Sequence, residues 1–186
     1  MTSLNRVMMN RRSRRILRDA GIENMDVAEI SGHWGKNLNS KSYVQYRYPG
    51  HDICKGPVKY ADGEVLKYDM ILANQVWQHL DRPYAAVQNV LEMLRPGGYF
   101  WLAVPFFMPH NPSPVDCSRW SARGLQNLLI EGGFPENDVK AAQWGNREAM
   151  KRNLEEDWPP VYDEDKDSLE NDPNCPVVAW ALARKA

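Results

Sequence analysis

Two histidines stand where an imidazole could take a proton from a nucleophile. His79 closes the run Tyr-Asp-Met-Ile-Leu-Ala-Asn-Gln-Val-Trp-Gln-His, and His110 lies in Pro-His-Asn-Pro-Ser-Pro-Val-Asp-Cys-Ser-Arg-Trp. A ring that titrates near neutral pH suits general-base work, so both are candidates. Asp116 and Arg119 follow His110 and are as ready to pair with each other, closing their loop, as to touch a substrate. Asn74 and Gln75 end an apolar run, at the strand edge where ligands of open α/β sheets bind; a polar strand terminus is the plainer alternative. Cys54, Cys117 and Cys175 are far apart, with no CxxC and no Cys/His cluster, which predicts reduced thiols and no metal centre.

Elements that would position these groups can be read from hydrophobic pattern. Residues 68–73 form a near-continuous apolar run, the mark of a strand covered on both faces. Asp81 and Pro83 announce a helix, along which Tyr84, Val87, Leu91 and Leu94 recur at helical spacing. Pro96, Gly97 and Gly98 are expected to stop it, and residues 99–106 give a second buried strand. Two parallel strands joined through a helix make a right-handed βαβ unit. Further strands are predicted over 27–31, 44–48, 58–60, 139–143 and 177–183, with helices over 3–18 and 122–131. In the first helix Leu4, Val7, Met8, Ile16 and Leu17 form the apolar stripe; in the other, Leu125, Leu128 and Leu129 do. Residues 155–174 are acidic and proline-bearing, as a long loop or lid would be.

Composition bounds the rest. A chain of 186 residues with 43% hydrophobic and 25% charged residues predicts one globular domain over residues 1–186, and the net charge of −1 argues for neither nucleic acid nor membrane. No apolar run approaches the roughly 20 residues of a membrane helix, and no apolar stretch follows the basic N-terminus as in a signal peptide. A cytoplasmic protein is the expectation. Six arginines in the basic N-terminal helix, within residues 1–20, keep an RNA substrate in view, against a surface helix, a partner contact or a lid. The acidic remainder cancels their charge, so nucleic acid is disfavoured. Self-association through that helix stays open. Of the seven tryptophans, Trp101 and Trp180 should be packed in strands, while Trp34 and Trp77 flank the candidate site and could face a flat or cationic ligand.

From about Asp26 to Phe134, with weaker matches to the C-terminus, the chain resembles the class I S-adenosylmethionine-dependent methyltransferases of the methyltransferase-11 type. The resemblance rests on Tyr68 to Pro83, on Leu-Arg-Pro-Gly-Gly-Tyr-Phe-Trp-Leu-Ala-Val-Pro-Phe, and on the Pro-Val-Asp, Arg and Gly-Leu of the segment ending at Phe134. It implies a Rossmann-like α/β fold with a single doubly wound, mostly parallel sheet, S-adenosylmethionine as cofactor, and a small-molecule methyl acceptor. It also implies cofactor contacts. Glu29 matches the acid that ends the first strand, Ser31 and Gly32 keep small residues in the turn after it, Asp52 matches the acid that takes ribose hydroxyls, and Asn74 and Gln75 fall in the fourth motif. Asp62 could match an adenine-contacting acid or be a polar turn. His79 belongs to the motif, and a positioning role there competes with that of a base.

The first glycine motif is atypical. Family members carry GxGxG where this chain has Ser31-Gly32-His33-Trp34-Gly35, and about a dozen residues leave room for only a turn or two of helix before the next strand. An abbreviated cofactor half is therefore expected. It opens an alternative reading, a non-catalytic methyltransferase-like protein kept for binding or assembly.

Overall fold

The structure, a computed structural model, describes residues 2–186. Its framework is one six-stranded sheet: β1 (Asp26–Ile30), β2 (Ser42–Tyr46), β3 (Tyr68–Asn74), β4 (Leu94–Pro105), β5 (Val139–Trp144) and β6 (Val178–Arg184). The order across it is β2-β1-β3-β4-β6-β5. The first four strands run parallel, and β6 lies antiparallel between β4 and β5. That is the mostly parallel, doubly wound α/β sheet expected from the sequence.

Helices α2 (Pro83–Met93) and α3 (Ala122–Glu131) cover one face, while α1 (Leu4–Asp19) and the short α4 (Arg147–Arg152) cover the other. Alternate residues of a strand serve the two cores. In β1, Val27 packs with Leu4, Met9 and Leu17 of α1, while Ala28 and Ile30 pack on the α2 side. This double cover explains why β3 and β4 read as unbroken apolar runs. Trp101 and Trp180 are core, as expected. So is Trp77, fully buried with its ring 5.2 Å from that of Phe100, which removes it from the ligand candidates.

Several local readings need correction. Gly97 and Gly98 do not stop α2, which ends at Met93 as Leu94 turns extended. They lie inside β4, where the pairing with β3 jumps from Tyr68↔Leu94 to Met70↔Tyr99. A Cβ on Gly98 would sit 3.0 Å from the Asp69 carbonyl oxygen, so glycine serves this bulge. The buried face of α2 carries Ala86, Val87, Val90 and Met93; Tyr84 is exposed. The buried stripe of α1 includes Met9 and Ser13, with Met8 and Ile16 at its margin. Residues 58–60 form only the bridge Lys59↔Val65, so β2 is a sheet edge.

Residues 155–174 contain no helix or strand, yet they are strapped down. Arg152 pairs with Asp167 at 2.6 Å, the Trp144 indole donates to the Leu169 carbonyl, and the Leu4 N–H donates to the Pro160 carbonyl.

Candidate active site

Chain direction places the site. After β1 the chain leaves for β2 on one side, and it returns through β3 on the other, so the carboxyl ends of β1 and β3 part around a crevice. Residues following those two strands line it.

The turn after β1 is organised by Glu29. Its carboxylate is fully buried and accepts the Trp34 N–H at 3.0 Å, the Gly35 N–H at 2.7 Å and the Tyr43 hydroxyl at 2.7 Å. Burial, reinforced by that carboxylate, pushes the Tyr43 phenol well above its ordinary pKa and keeps it a donor. The glycines fit around the same group. A Cβ on Gly32 would lie 2.0 Å from Glu29 Oε1, and one on Gly35 2.5 Å from Leu72. One 3₁₀ turn, Trp34–Asn37, replaces the first helix, as the short spacing required. Arg14 of α1 lies over Trp34, 5.9 Å from the ring centroid.

The end of β3 has matching geometry. Ser31 and Gln75, the residues just past β1 and β3, both take φ of 59°, a left-handed conformation that costs an L-residue about 1–2 kcal/mol. The Trp101 indole N–H can only donate, so its 2.9 Å bond fixes Asn74 Oδ1 towards it and leaves Asn74 Nδ2 buried without a partner. Gln75 reaches Met9 of α1 through its side chain.

Beyond β2 the chain passes Arg47 and the Pro49-Gly50 turn before His51 and Asp52. Asp52 therefore lies past the strand end, where it accepts the Cys54 N–H at 3.0 Å and faces Lys55 at 3.5 Å. Burial draws the His51 imidazole below its usual pKa, with Asp52 opposing, and His51 Nε2 has no partner. Asp62 accepts the Glu64 N–H and is a polar turn residue.

Two adjoining cavities result. The larger, about 1010 Å³, is lined by Glu29, Ser31, Gly32, Asp52, Asn74 and Gln75, together with Trp34, Arg47 and His51. The second, about 470 Å³, lies between the start of α1 and the segment containing Trp158. Arg6, Asn10, Gln75 and His79 belong to the linings of both and form the wall between them.

The loop after β4 closes the far side. Asp116 forms a bidentate pair with Arg119 and accepts the Asn111 N–H at 2.7 Å, and the guanidinium holds its carboxyl well below the ordinary range. The Cys117 and Ser118 N–H groups donate to the Gln78 carbonyl, tying loop to wall. His79 Nδ1 meets the Val115 carbonyl; because a carbonyl only accepts, the proton sits on Nδ1 and Nε2 is left with a lone pair. His110 is exposed and lines neither cavity.

Arg6, Asn10 and His51 were not singled out by sequence. Arg6 is one of six arginines on its helix, and nothing in their spacing marks the one that reaches the wall.

The larger cavity suits the cofactor of the class the sequence resembles. Four of its lining residues carry a buried polar atom without a partner: Asn10 Oδ1, Trp34 Nε1, His51 Nε2 and Asn74 Nδ2. Such a mixture of donors and acceptors, in a space of this volume, fits a nucleoside bearing an amino-acid arm.

Comparison with known proteins agrees. Residues 5–156 match the family model described as methyltransferase domain. No curated protein matches the chain. Among solved structures, a methyltransferase of Thermotoga maritima described as S-adenosylmethionine-dependent and a possible histamine N-methyltransferase aligns with a TM-score of 0.59 at 12% identity, over 94% of this chain and 88% of that one. An S-adenosylmethionine-dependent methyltransferase of Mesorhizobium loti gives 0.55 at 12%, over 92% and 96%. Phosphoethanolamine N-methyltransferase 2 of Haemonchus contortus, in complex with S-adenosyl-L-methionine, gives 0.56 at 11%, over 95% of this chain and 52% of that one. The chain belongs to the methyltransferase-domain family and has the fold of the S-adenosylmethionine-dependent methyltransferases.

Proposed function

We propose that the chain, as one domain over residues 1–186, transfers a methyl group from S-adenosylmethionine to a small-molecule acceptor by in-line displacement. The observation that carries this reading is the shared wall: a nucleoside-sized cavity and a metabolite-sized cavity meet across Arg6, Asn10, Gln75 and His79. A transfer between two bound molecules needs that adjacency, because alignment supplies much of the rate. Within the family, the methyltransferase-11 likeness with an altered first turn remains our reading. Among the described residues no helix is long and apolar enough to cross a membrane.

When bound, the cofactor would supply a methyl group already activated by its sulfonium. Trp34, His51, Asp52 and Asn74 are the groups we assign to hold it, through indole, imidazole, carboxylate and amide. Ser31 and Gln75 bring the two strand ends against it. Where the acceptor must lose a proton, His79 takes it on Nε2, the Val115 carbonyl holding the other nitrogen protonated. His110 is the weaker candidate, being outside both cavities.

Calorimetric titration with S-adenosylmethionine and S-adenosylhomocysteine tests the reading. Saturable binding of both, weakened about tenfold or more by Asp52→Ala, is the expected result, a loss of about 1.4 kcal/mol. No heat and no thermal stabilisation by either ligand would favour the binding or assembly protein instead. Unchanged affinity in Asp52→Ala would remove that residue from the cofactor set.

A further inference from the structure

Resting on methyl transfer as the reaction, we infer that the second cavity recognises its acceptor as an acid: a carboxylate or phosphate held by Arg6, on a molecule that also offers a hydroxyl or amine to Gln78.

Charge in the two linings is unequally divided. Glu29, Asp52 and Asp81 border the larger cavity together with Arg47 and Lys55, whereas among the described residues the second has no aspartate or glutamate in its lining. Among the described residues Arg6 is the one permanently charged group in that lining, and it makes no ion pair and no side-chain hydrogen bond there. Partial burial without a carboxylate to offset it lowers the guanidinium's pKa, so the cation has lost water and gained nothing in return. An arriving anion restores that balance through a planar fork matched to carboxylate and phosphate.

Besides Arg6 the lining mixes amides, among them Asn10, Gln75 and Gln78, with apolar residues such as Met108, Val177 and Val178. Gln78 is only 2% exposed, and its Oε1 has no partner. An amide oxygen can only accept, so its complement is a ligand O–H or N–H. Asn10 Oδ1, on the shared wall, asks for the same. A volume of about 470 Å³ limits the ligand to metabolite size.

The shape of this end is fixed before any ligand arrives. Asn5 and the fully buried Asn153 exchange two amide hydrogen bonds, of 2.6 and 2.9 Å, and the Trp158 indole donates to the same Asn153 oxygen. That cluster joins α1, the end of α4 and the Trp158 segment, and so holds Arg6 in place.

An anion on Arg6 could come from the acceptor or from the amino-acid arm of the cofactor, and the experiment separates the two. Glycerate, glycerol 3-phosphate and glycerol share a three-carbon skeleton and serve as probes, titrated into the chain with and without saturating S-adenosylhomocysteine. Both acids should bind at least tenfold more tightly than glycerol. Arg6→Gln should weaken them by roughly 10- to 100-fold, the range of a charge-assisted pair, while Arg6→Lys retains part and Arg11→Gln, on the exposed side of α1, retains all. Arg6→Gln should leave S-adenosylhomocysteine and 5′-methylthioadenosine, which lacks the amino-acid arm, equally well bound. If Arg6→Gln weakens S-adenosylhomocysteine but not 5′-methylthioadenosine, the cation serves the cofactor and the inference is overturned. Acids that bind no better than glycerol to the unaltered chain overturn it as well. Titrations without cofactor keep the failures apart: Arg6-dependent acid binding in a chain that ignores S-adenosylhomocysteine sinks methyl transfer and leaves the acid site standing.

Discussion

The buried carboxylate of Glu29 accepts the Tyr43 hydroxyl at 2.7 Å, so the turn after β1 is held from the neighbouring strand β2. Removing one partner strands the other. Glu29→Ala leaves two backbone N–H groups and a phenol without an acceptor in the core and should cost about 3–5 kcal/mol. Tyr43→Phe should cost about 1–2 kcal/mol, because the two backbone donors remain. Urea unfolding measures both. Because the folded pKa of Tyr43 is raised, the Tyr43 contribution is complete below the unfolded value near 10 and is lost as pH climbs through the folded value.

Ser31 holds a left-handed backbone at the place where glycine would be free of strain. Ser31→Gly should raise stability by up to about 1 kcal/mol, part of the relief being offset by the greater freedom of the unfolded chain. Its N–H still reaches the Tyr46 carbonyl, so cofactor affinity should not fall. A drop in melting temperature would show that the hydroxyl matters more than the backbone.

Asp116 links acid stability to the loop beside the second cavity. Its folded pKa is depressed, chiefly by Arg119, so the contribution is fully present above the unfolded value near 4 and disappears as pH falls below that. The stability gap between the unaltered chain and Asp116→Asn should therefore be constant from pH 5 to 8 and shrink in more acidic solution. Unfolding curves collected across that range provide the check.

His79→Gln should lower kcat by about 10²–10⁴-fold if the acceptor's proton passes through Nε2. Cofactor affinity should change little. Glutamine can still donate to the Val115 carbonyl, so a fall in cofactor affinity with an unchanged kcat would assign His79 to positioning instead.

The β3–α2–β4 unit was legible because burial on both faces writes itself as an uninterrupted apolar run, and α3 because its leucines recur at one spacing. The six residues expected from sequence to meet a cofactor all line the larger cavity, since the carboxyl ends of β1 and β3 and the segments that follow β1, β2 and β3 border the crevice of such a sheet. Other features depend on packing that leaves no local trace. Gly97-Gly98 after an apolar stripe reads as a helix stop, yet the same dipeptide serves a bulge, and only the pairing with β3 decides. Tyr84 and Ala86 lie close together on α2, and the sheet, rather than the periodicity, selects the smaller one for burial. Arg6 reaches the wall because the Trp158 segment folds back on α1, a contact across most of the chain.

The first helix was expected as a surface element or lid, and the way it is seated gives it a different standing in turnover. Leu4, Val7, Met9 and Leu17 are each at most 6% exposed beneath it. Lifting it away would return four apolar side chains to water at about 1.5–3 kcal/mol each, a sum comparable with the whole stability of an ordinary domain. Molecules therefore enter and leave with α1 in place, and the traffic is left to loops and side chains moving in nanoseconds to microseconds.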